Sequence, residues 1–506
     1  MDKFIEELFD LSFLGSPAPG FSVSVVKNGK PLFDYQCGCA DIGEQLPITA
    51  DSVFHVASVT KQFTACCITL LEKEGKVDVS RSIRSYLPFL PEFADNITIR
   101  HLLNHTGGMR EQWDLFTLGG HTMEDLATSG HARRFLTAQK EVSFLPGERY
   151  SYCNSGYTLM AMLIQELTGK SIREFADERI FKPLGMTHTF YRDDHSEIVP
   201  HRVRSYRPKS GGGFREYTHT FDIVGSTSLN TTPADLQKWM ANFRHPVIWD
   251  EECIKRMTTQ GILNSGKVID YCRGVWRYDF FGIPIREHTG TNSGYKTITM
   301  CAGGYDIIIL ANYVHSNPSM RSLSLLQHLC GTENVIGEKE NYEDTIYPVQ
   351  CGKYFRGCAV SELKGNSDTV IYNDGDDHVF THVRGNRYFC RENQCLLYLK
   401  KEGFVLYESL TPSLYLPMPQ LALNDFDRKA EGRWVSEELG ILYETRIDGE
   451  QIILSSLQND PHTFTKTGDG TYHAQTGASL MMEFDGKELF LSTARSKRLR
   501  LHPLNI

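Results

Sequence analysis

The chain has 506 residues, of which 41% are hydrophobic and 23% are charged, and this composition excludes a disordered or collagen-like protein. Its 53 basic and 62 acidic residues give a formal net charge of −9, which argues against general binding to nucleic acid or to an anionic membrane. At roughly 150 residues per domain, the length predicts about three domains.

The N-terminus and the cysteine usage favour a cytoplasmic protein. Acidic residues stand among the first seven positions, where a signal peptide would carry basic residues, and no apolar run approaches the ~18 residues of a membrane span. The 13 cysteines include the pairs Cys37/Cys39 and Cys66/Cys67, which are too near in sequence for ordinary disulfides. We therefore expect a reducing compartment and no membrane.

Residues 1–335 show strand patterns at both ends and helix patterns between them. Two hairpins are predicted from turn dipeptides between strand-like runs: 21–26 and 31–35 around Asn28-Gly29, and 295–301 and 307–313 around Gly303-Gly304. The clearest helices between them are predicted at residues 58–74, 157–168 and 232–243. This arrangement predicts one sheet assembled from both ends of the segment, in a single α/β domain.

After about residue 345, short β-branched and aromatic runs alternate with Asn, Asp and Gly turns, which is typical of antiparallel all-β folds. Two stretches begin alike, at residues 351–354 and 431–434, which lie 80 positions apart and indicate an internal repeat. The sequence therefore predicts two small antiparallel β-barrel domains, at residues 345–420 and 428–506. The prolines from Pro412 to Pro419 are interpreted as a linker.

Ser58-Val59-Thr60-Lys61 stands at the predicted start of the helix over residues 58–74. A spacing of three places Lys61 one turn after Ser58, on the same face. The N–H groups at a helix start favour developing negative charge on the serine, and a neighbouring lysine can hold or donate a proton. The pair is a candidate nucleophile and proton carrier, although a helix cap followed by a surface lysine gives the same pattern.

Tyr152-Cys153-Asn154 precedes the helix predicted at 157–168. Alternation in a short loop points Tyr152 and Asn154 the same way. A tyrosine beside cations can act as a general base, and an asparagine amide can hold a substrate carbonyl. A buried tyrosine with a bonded hydroxyl is the alternative for this motif taken alone.

His288-Thr289-Gly290-Thr291 stands between two strand patterns. A glycine on an edge strand lets the backbone of a ligand approach closely. Taken alone, this histidine is also explained as a structural residue.

The three motifs occur in this order within one 335-residue segment, and as a set they resemble the serine β-lactamase and penicillin-binding protein superfamily, in the branch of class C β-lactamases, D-aminopeptidases and related esterases. The resemblance covers roughly residues 10–330 and extends to the segments 54–57, 101–108, 182–186 and 225–236. It implies an α/β fold with an antiparallel sheet and a helical cluster. The trailing modules resemble the pair of lipocalin-like barrels attached to bacterial D-aminopeptidases.

The resemblance implies a role for each matching residue. The catalytic residues would be Ser58, Lys61 and Tyr152, and the substrate-binding residues would be Asn154, His288, Gly290 and Thr291. Ser58 would be the nucleophile, and its N–H group with that of Thr291 would form the oxyanion hole. Which of Lys61 and Tyr152 takes the first proton stays open.

His288 departs from the pattern, because many relatives carry a lysine at this position. A lysine is a fixed cation suited to a substrate carboxylate, whereas a histidine with a pKa near ~6.5 is mostly neutral at pH 7. The histidine disfavours β-lactams and C-terminal carboxylates and favours amides, esters and peptides that begin with a D-residue.

The sequence thus predicts a serine hydrolase that acts through a covalent acyl-enzyme, with D-aminopeptidase as the first choice and no metal or cofactor. The expected partner is a small-molecule or short-peptide substrate, and a homo-oligomer is left open. The alternatives are an esterase, a β-lactamase or transacylase of the same fold, and a binding protein whose catalysis has lapsed.

Two further hypotheses concern the β modules. A zinc site in the first module would use His378, His382, Cys390 and Cys395, although their spacing matches no established pattern. In the second module, the polar stretch 457–477 is interpreted as a long loop that narrows the substrate cleft.

Overall fold

The computed structural model describes residues 2–122, 124–280, 282–331, 345–409, 412–457, 459–474 and 479–504. Its contacts divide the chain into two compact units. Unit 1 consists of residues 1–108, 123–137 and 144–333, and unit 2 consists of residues 109–122, 138–143 and 334–506. The boundary predicted near residue 335 lies outside the described residues, and the three predicted domain ranges remain a proposal.

The α-helices of the described residues follow in chain order: α1 Lys3–Phe9, α2 Thr60–Lys73, α3 Ile99–Leu103, α4 Gln112–Leu118, α5 Ser129–Ala138, α6 Asn154–Thr168, α7 Ile172–Ala176, α8 Lys182–Leu184, α9 Pro233–Ala241, α10 Glu251–Thr258 and α11 Pro318–Cys330. None of these helices is long and apolar enough to cross a membrane. The predicted helices are confirmed as α2, α6 and α9, with α6 beginning at Asn154 rather than at residue 157.

The strands of unit 1 are β1 Phe21–Lys27, β2 Lys30–Cys37, β3 Cys39–Asp41, β4 Leu46–Pro47, β5 Phe54–His55, β6 Phe190–Tyr191, β7 Tyr206–Pro208, β8 Phe214–Glu216, β9 Leu229–Thr231, β10 Trp276–Phe280, β11 Ile283–Asn292, β12 Tyr295–Ala302 and β13 Tyr305–Ala311. The main sheet has six antiparallel strands in the order β10-β11-β12-β13-β1-β2. Strands from both ends of the segment therefore share one sheet, which confirms that prediction.

The sharp turns of both predicted hairpins depend on the left-handed backbone region. Asn28 and Gly29 between β1 and β2 have φ values of 49° and 81°, and Gly303 and Gly304 between β12 and β13 have values of 56° and 82°. Glycine and asparagine reach this region at little cost, and the resulting turns match the twist of the flanking strands. The local sequence therefore sets both hairpins.

Unit 2 contains two closed eight-stranded antiparallel barrels. The first consists of β14 Gly352–Arg356, β15 Ala359–Gly365, β16 Thr369–Asn373, β17 Asp377–Arg384, β18 Arg387–Cys390, β19 Cys395–Leu399, β20 Phe404–Tyr407 and β21 Ser413–Pro417. The second consists of β22 Gly432–Ser436, β23 Ile441–Asp448, β24 Gln451–Ser456, β25 His462–Gly468, β26 Thr471–Ala474, β27 Leu480–Phe484, β28 Leu489–Thr493 and β29 Leu499–Pro503. The two predicted β-barrels are thus confirmed.

The internal repeat extends to the register that closes each barrel. In the first barrel Tyr354 on β14 pairs with Pro417 on β21, and in the second Trp434 on β22 pairs with Pro503 on β29. The aromatic residues of these pairs lie 80 positions apart, as the sequence repeat predicts. Each aromatic side chain is buried in its own barrel.

Two interpretations of the β modules are wrong. Pro417 does not lie in a linker, because it ends β21, the strand that closes the first barrel. Residues 457–477 are not one long loop, because the described part contains strands β25 and β26. Alternating polar residues on half-buried strands gave this segment the polarity of a loop.

Unit 2 also contains α4 from the N-terminal half of the chain. The carbonyl of Leu118, at the end of α4, accepts a hydrogen bond of 2.6 Å from Tyr443 Oη on β23. Arg110, before α4, is fully buried, and its Nη1 lies 3.2 Å from Glu438 Oε2. The segment 109–122 is thereby held to the second barrel by hydrogen bonds and an ion pair.

Candidate active site

Ser58 lies in a short 3-10 turn, Ala57–Val59, between strand β5 and helix α2. The α-helix itself begins two residues later, at Thr60, which corrects the prediction that Ser58 opens it. Ala57 has a φ of 49°, a strained value for a residue with a Cβ atom. Thr60 Oγ1 holds the turn by donating to Ala57 O at 2.5 Å and accepting from Leu229 N at 3.1 Å.

Lys61 is completely buried, one turn after Ser58. Its Nζ donates to Ser58 Oγ at 3.1 Å, to Asn154 Oδ1 at 2.7 Å and to the carbonyl oxygen of Ser226 at 2.7 Å. As an ammonium group Nζ can donate to all three oxygens, and as a neutral amine it can donate to two of them and accept from the serine hydroxyl. The serine hydroxyl is therefore in hydrogen-bond contact with an amine that can exchange a proton with it.

Tyr152 and Asn154 both face Lys61, as the alternation in their motif predicts. Lys61 Nζ lies 4.8 Å from the centre of the Tyr152 ring, within the range of a cation–π contact. The ring of Tyr152 also packs against that of His105, with 4.2 Å between the ring centres. The lysine therefore joins the Ser-x-x-Lys and Tyr-x-Asn motifs.

The third motif lies along the edge of β11. Strand β10 pairs with β11 only as far as Glu287, so the edge from His288 onward lacks that neighbour in the described register. A Cβ atom on Gly290 would lie 2.3 Å from Val56 O and 2.3 Å from Thr297 Oγ1. Glycine is therefore required for β11 to lie against the turn that carries Ser58. Thr291, one residue on, is exposed.

His288 is 1% exposed, and both of its ring nitrogens have protein partners. Nδ1 lies 2.6 Å from Thr289 O, which can only accept, so Nδ1 carries the proton. Nε2 then accepts from Tyr271 Oη at 3.0 Å. Burial raises the pKa of Tyr271, which keeps that hydroxyl protonated. His288 thus lies in the wall behind the site.

Burial, and secondarily the charge of Lys61, lower the pKa of His288 to about 3. The unfolded chain binds a proton at this histidine below pH ~6.5, and the folded chain does not until pH falls further. This contribution to stability is therefore present above pH ~6.5 and is lost as pH falls toward 3.

Lowering the pH from 6.5 to 5 should reduce the free energy of unfolding of the natural chain. We expect this reduction to exceed that of the His288→Asn variant by up to about 2 kcal/mol. Urea unfolding at the two pH values measures this difference, and His201→Asn, at an exposed position, is the matched control. Parallel pH profiles for the natural chain and His288→Asn would contradict the assignment of a neutral His288.

Two contributors to the site were not assigned from the sequence. Ser226 acts through its backbone carbonyl, so its side-chain type gives no signal, although it lies in the segment 225–236 that resembles the family. Tyr271 lies outside every motif, yet its hydroxyl fixes the orientation of His288. The arrangement as a whole provides a hydroxyl nucleophile, a buried amine and an open strand edge, which are the parts needed for acyl transfer.

The structure does not bring the four residues of the zinc hypothesis together. Among the described residues, one group of three His, Cys, Asp or Glu side chains has its possible metal-ligand atoms within 4.8 Å of one another. This group is Asp194, His195 and Asp222, and it contains none of the four residues of the zinc hypothesis. His378 Nε2 instead lies 3.1 Å from Asp374 Oδ1.

Comparison with known proteins agrees with this geometry. The family model described as beta-lactamase matches residues 3–329. The D-aminopeptidase of Gluconobacter oxydans (strain 621H) is 26% identical over 301 residues, which are 59% of this chain and 56% of that protein. The chain thus spans about half the length of the curated relatives that it matches.

Two solved structures share the fold at lower identity. The octameric penicillin-binding protein homologue from Pyrococcus abyssi superimposes with a TM-score of 0.58 at 20% identity, over 99% of this chain and 100% of that one. The D-amino acid amidase from Ochrobactrum anthropi SV3 superimposes with a TM-score of 0.57 at 21% identity, over 65% of this chain and 99% of that one. The first similarity includes both barrels, and the second is confined to part of this chain.

Proposed function

Since the chain belongs to the beta-lactamase family, we propose that it is a serine hydrolase that cleaves amides through a covalent acyl-enzyme, with the activity of a D-aminopeptidase. The hydrogen bond of 3.1 Å between Lys61 Nζ and Ser58 Oγ carries this proposal. A buried amine in contact with the attacking hydroxyl supports proton transfer by the pair formed by Lys61 and Tyr152.

In the proposed first step Ser58 Oγ attacks the substrate carbonyl carbon, and its proton passes to the pair formed by Lys61 and Tyr152. The carbonyl oxygen becomes an oxyanion, which the backbone N–H groups of Ser58 and Thr291 stabilise. The C–N bond then breaks, and the leaving amine takes the proton. Water releases the acyl group by the same steps in reverse order, which restores the serine hydroxyl.

The proposed substrate class depends on the absence of a positive charge on His288. His288 carries no charge near pH 7 because burial lowers its pKa to about 3, so it offers no cation to a C-terminal carboxylate. Within this proposal Tyr271 is a positioning residue for His288, whose neutral ring lines the substrate site. A matched D-aminopeptidase and a structurally similar D-amino acid amidase support substrates with a free amino group and a D-configured acyl residue.

A substrate panel tests the proposal. D-alaninamide, L-alaninamide, p-nitrophenyl acetate, nitrocefin and an N-acyl-D-Ala-D-Ala peptide are compared by kcat/KM. We expect the D-amide to be cleaved at least about tenfold faster than the L-amide, with nitrocefin and the acylated peptide near background. Preference for nitrocefin supports the β-lactamase alternative, and preference for the acetate supports the esterase. Turnover of none of them, without covalent labelling of Ser58, supports the binding protein.

The proposal also includes a cytoplasmic location, a small substrate and self-association. All thirteen cysteines lie in the described part of the chain as free thiols, and this supports a cytoplasmic protein. The proposed partner is a small amide or short peptide, and the chemistry requires no cofactor. Self-association is also proposed, on the octameric state of the structurally similar homologue, and light scattering on the full chain tests it.

A further inference from the structure

Unit 1 contains a cavity of about 20 Å³ whose lining includes His55, three residues before Ser58. Its lining consists mainly of His55, Arg192, Arg202, His219, Asn292 and Tyr295. A cavity of this size holds one small group such as a water molecule or one end of a carboxylate. The lining contains two guanidinium groups and two imidazoles, and the positive charge of the guanidinium groups favours an anion in the cavity.

The cavity is joined to the active site by a short series of bonds. His55 Nδ1 accepts from Ala57 N, next to Ser58, at 3.2 Å, and His55 Nε2 lies 3.4 Å from Thr227 Oγ1. Thr227 follows Ser226, whose carbonyl binds Lys61. On the other side, Asn292 follows Thr291 on β11. The lining is therefore connected to the residues next to Ser58 and Thr291.

Neither guanidinium in the lining has a carboxylate partner among the described residues. Arg192 Nη2 donates to the carbonyls of His195 and Glu197, and its buried Nε has no hydrogen-bond partner in the part of the chain that the structure describes. Arg202 forms no ion pair within the described ranges. Burial lowers the pKa of Arg192, and the nearby charge of Arg202 lowers it further. Two guanidinium groups thus lie beside one cavity, and the carboxylates of Glu197 and Asp194 act on Arg192 through their charges without forming an ion pair with it among the described residues.

His219 adds a donor without a partner. Its Nε2 is buried and makes no hydrogen bond among the described residues. Burial lowers the pKa of His219 to about 4, so the ring is neutral near pH 7 and can donate without adding charge. A buried polar atom with no partner costs free energy unless something occupies the space in front of it.

The nearby acids are bound elsewhere. Glu197 forms a two-point ion pair with Arg173, at 2.7 and 2.8 Å. Asp222, beside the lining residue Phe221, lies 2.9 Å from His195 Nδ1. The protein therefore does not neutralise the cavity with these carboxylates, although both are within a few residues of it.

We propose that Arg192, Arg202 and His219 form a binding site for a carboxylate on the acyl group of the substrate. This inference rests on the proposed function and narrows it: the preferred substrates are amides of D-amino acids with an acidic side chain. Guanidinium groups suit this role because they present several parallel N–H donors to the two oxygens of a carboxylate. The two-point pair of Arg173 with Glu197 shows that geometry within the same unit.

Two substrates that differ only in this charge test the assignment: the α-amides of D-glutamate and D-glutamine. We expect the natural chain to prefer the glutamate amide in kcat/KM by at least about tenfold, and Arg202→Gln and Arg192→Gln to remove that preference. Arg202→Lys should retain part of it. Arg204→Gln is the matched control, because Arg204 is two residues away and its charge is already paired with Asp41 at 2.8 Å and Glu216 at 2.7 Å.

A binding measurement separates failure of the site from failure of the proposed function. Calorimetric titration with D-glutamate, D-glutamine and sodium sulfate uses no turnover. If no amide is cleaved but D-glutamate binds and Arg202→Gln weakens it at least about tenfold, the site stands and the proposed function fails. If amides are cleaved with no preference for the acidic substrate, the site is contradicted. Sulfate binding as tightly as D-glutamate, without that preference, also overturns the substrate assignment.

Discussion

Replacing Ser58 with alanine is expected to lower kcat/KM on the best substrate by about 10⁴-fold or more. The hydroxyl is the group that would form the acyl-enzyme, so its removal takes away the covalent route. Because Ser58 is half-buried and the alanine fits the same turn, the variant should fold normally. Its rate is measured on a substrate confirmed with the natural chain.

The control for this variant is Ser80→Ala, an exposed serine of the same unit whose hydroxyl donates to Asp78. It should retain full activity. Thermal unfolding of both variants establishes that the fold is kept. Undiminished turnover by a folded Ser58→Ala variant would contradict the mechanism.

Replacing Lys61 with methionine is expected to lower kcat by about 10³-fold. Methionine keeps the unbranched length of the side chain but removes the amine that contacts Ser58 Oγ at 3.1 Å. The pair formed by Lys61 and Tyr152 then lacks the amine that takes part in the transfer of the hydroxyl proton. The buried oxygens of Asn154 and Ser226 also lose their donor, so a loss of stability of about 1–3 kcal/mol is expected as well.

Lys73→Met is the matched control for this prediction. Lys73 ends the same helix, α2, but is half-exposed and lies 3.0 Å from Asp250. An exposed ion pair contributes little to stability, so this variant should keep both its activity and its unfolding free energy within about 1 kcal/mol. Equal activity of Lys61→Met and Lys73→Met would show that the buried amine takes no part in proton transfer.

The parts of the fold that follow from local sequence were predictable. Asn28-Gly29 and Gly303-Gly304 need a left-handed backbone, and this set both hairpins of the main sheet. The repeat at 351–354 and 431–434 predicted two similar barrels, since each copy supplies the first strand of one barrel. In each case a short run of residues is sufficient to specify the structure.

The environment of His288 was not predictable, because partners distant in sequence determine it. Tyr271 lies 17 residues earlier and outside every motif, and its hydroxyl donates a hydrogen bond to His288 Nε2, which is then no longer available to a ligand. The carbonyl of Ser226 carries no side-chain signal. By its position in the sequence, the segment 109–122 is predicted to belong to the N-terminal domain. It belongs to unit 2 instead, because it makes contacts with the second barrel.

Covalent capture of Ser58 tests the central claim most directly. The full chain is treated with a fluorophosphonate probe, digested and analysed by mass spectrometry. The account predicts one adduct per chain, on the peptide that contains Ser58, with no adduct in Ser58→Ala and slower labelling in Lys61→Met. An adduct on a different residue, or turnover of an amide by a chain whose Ser58 stays unlabelled at saturating probe, would contradict it.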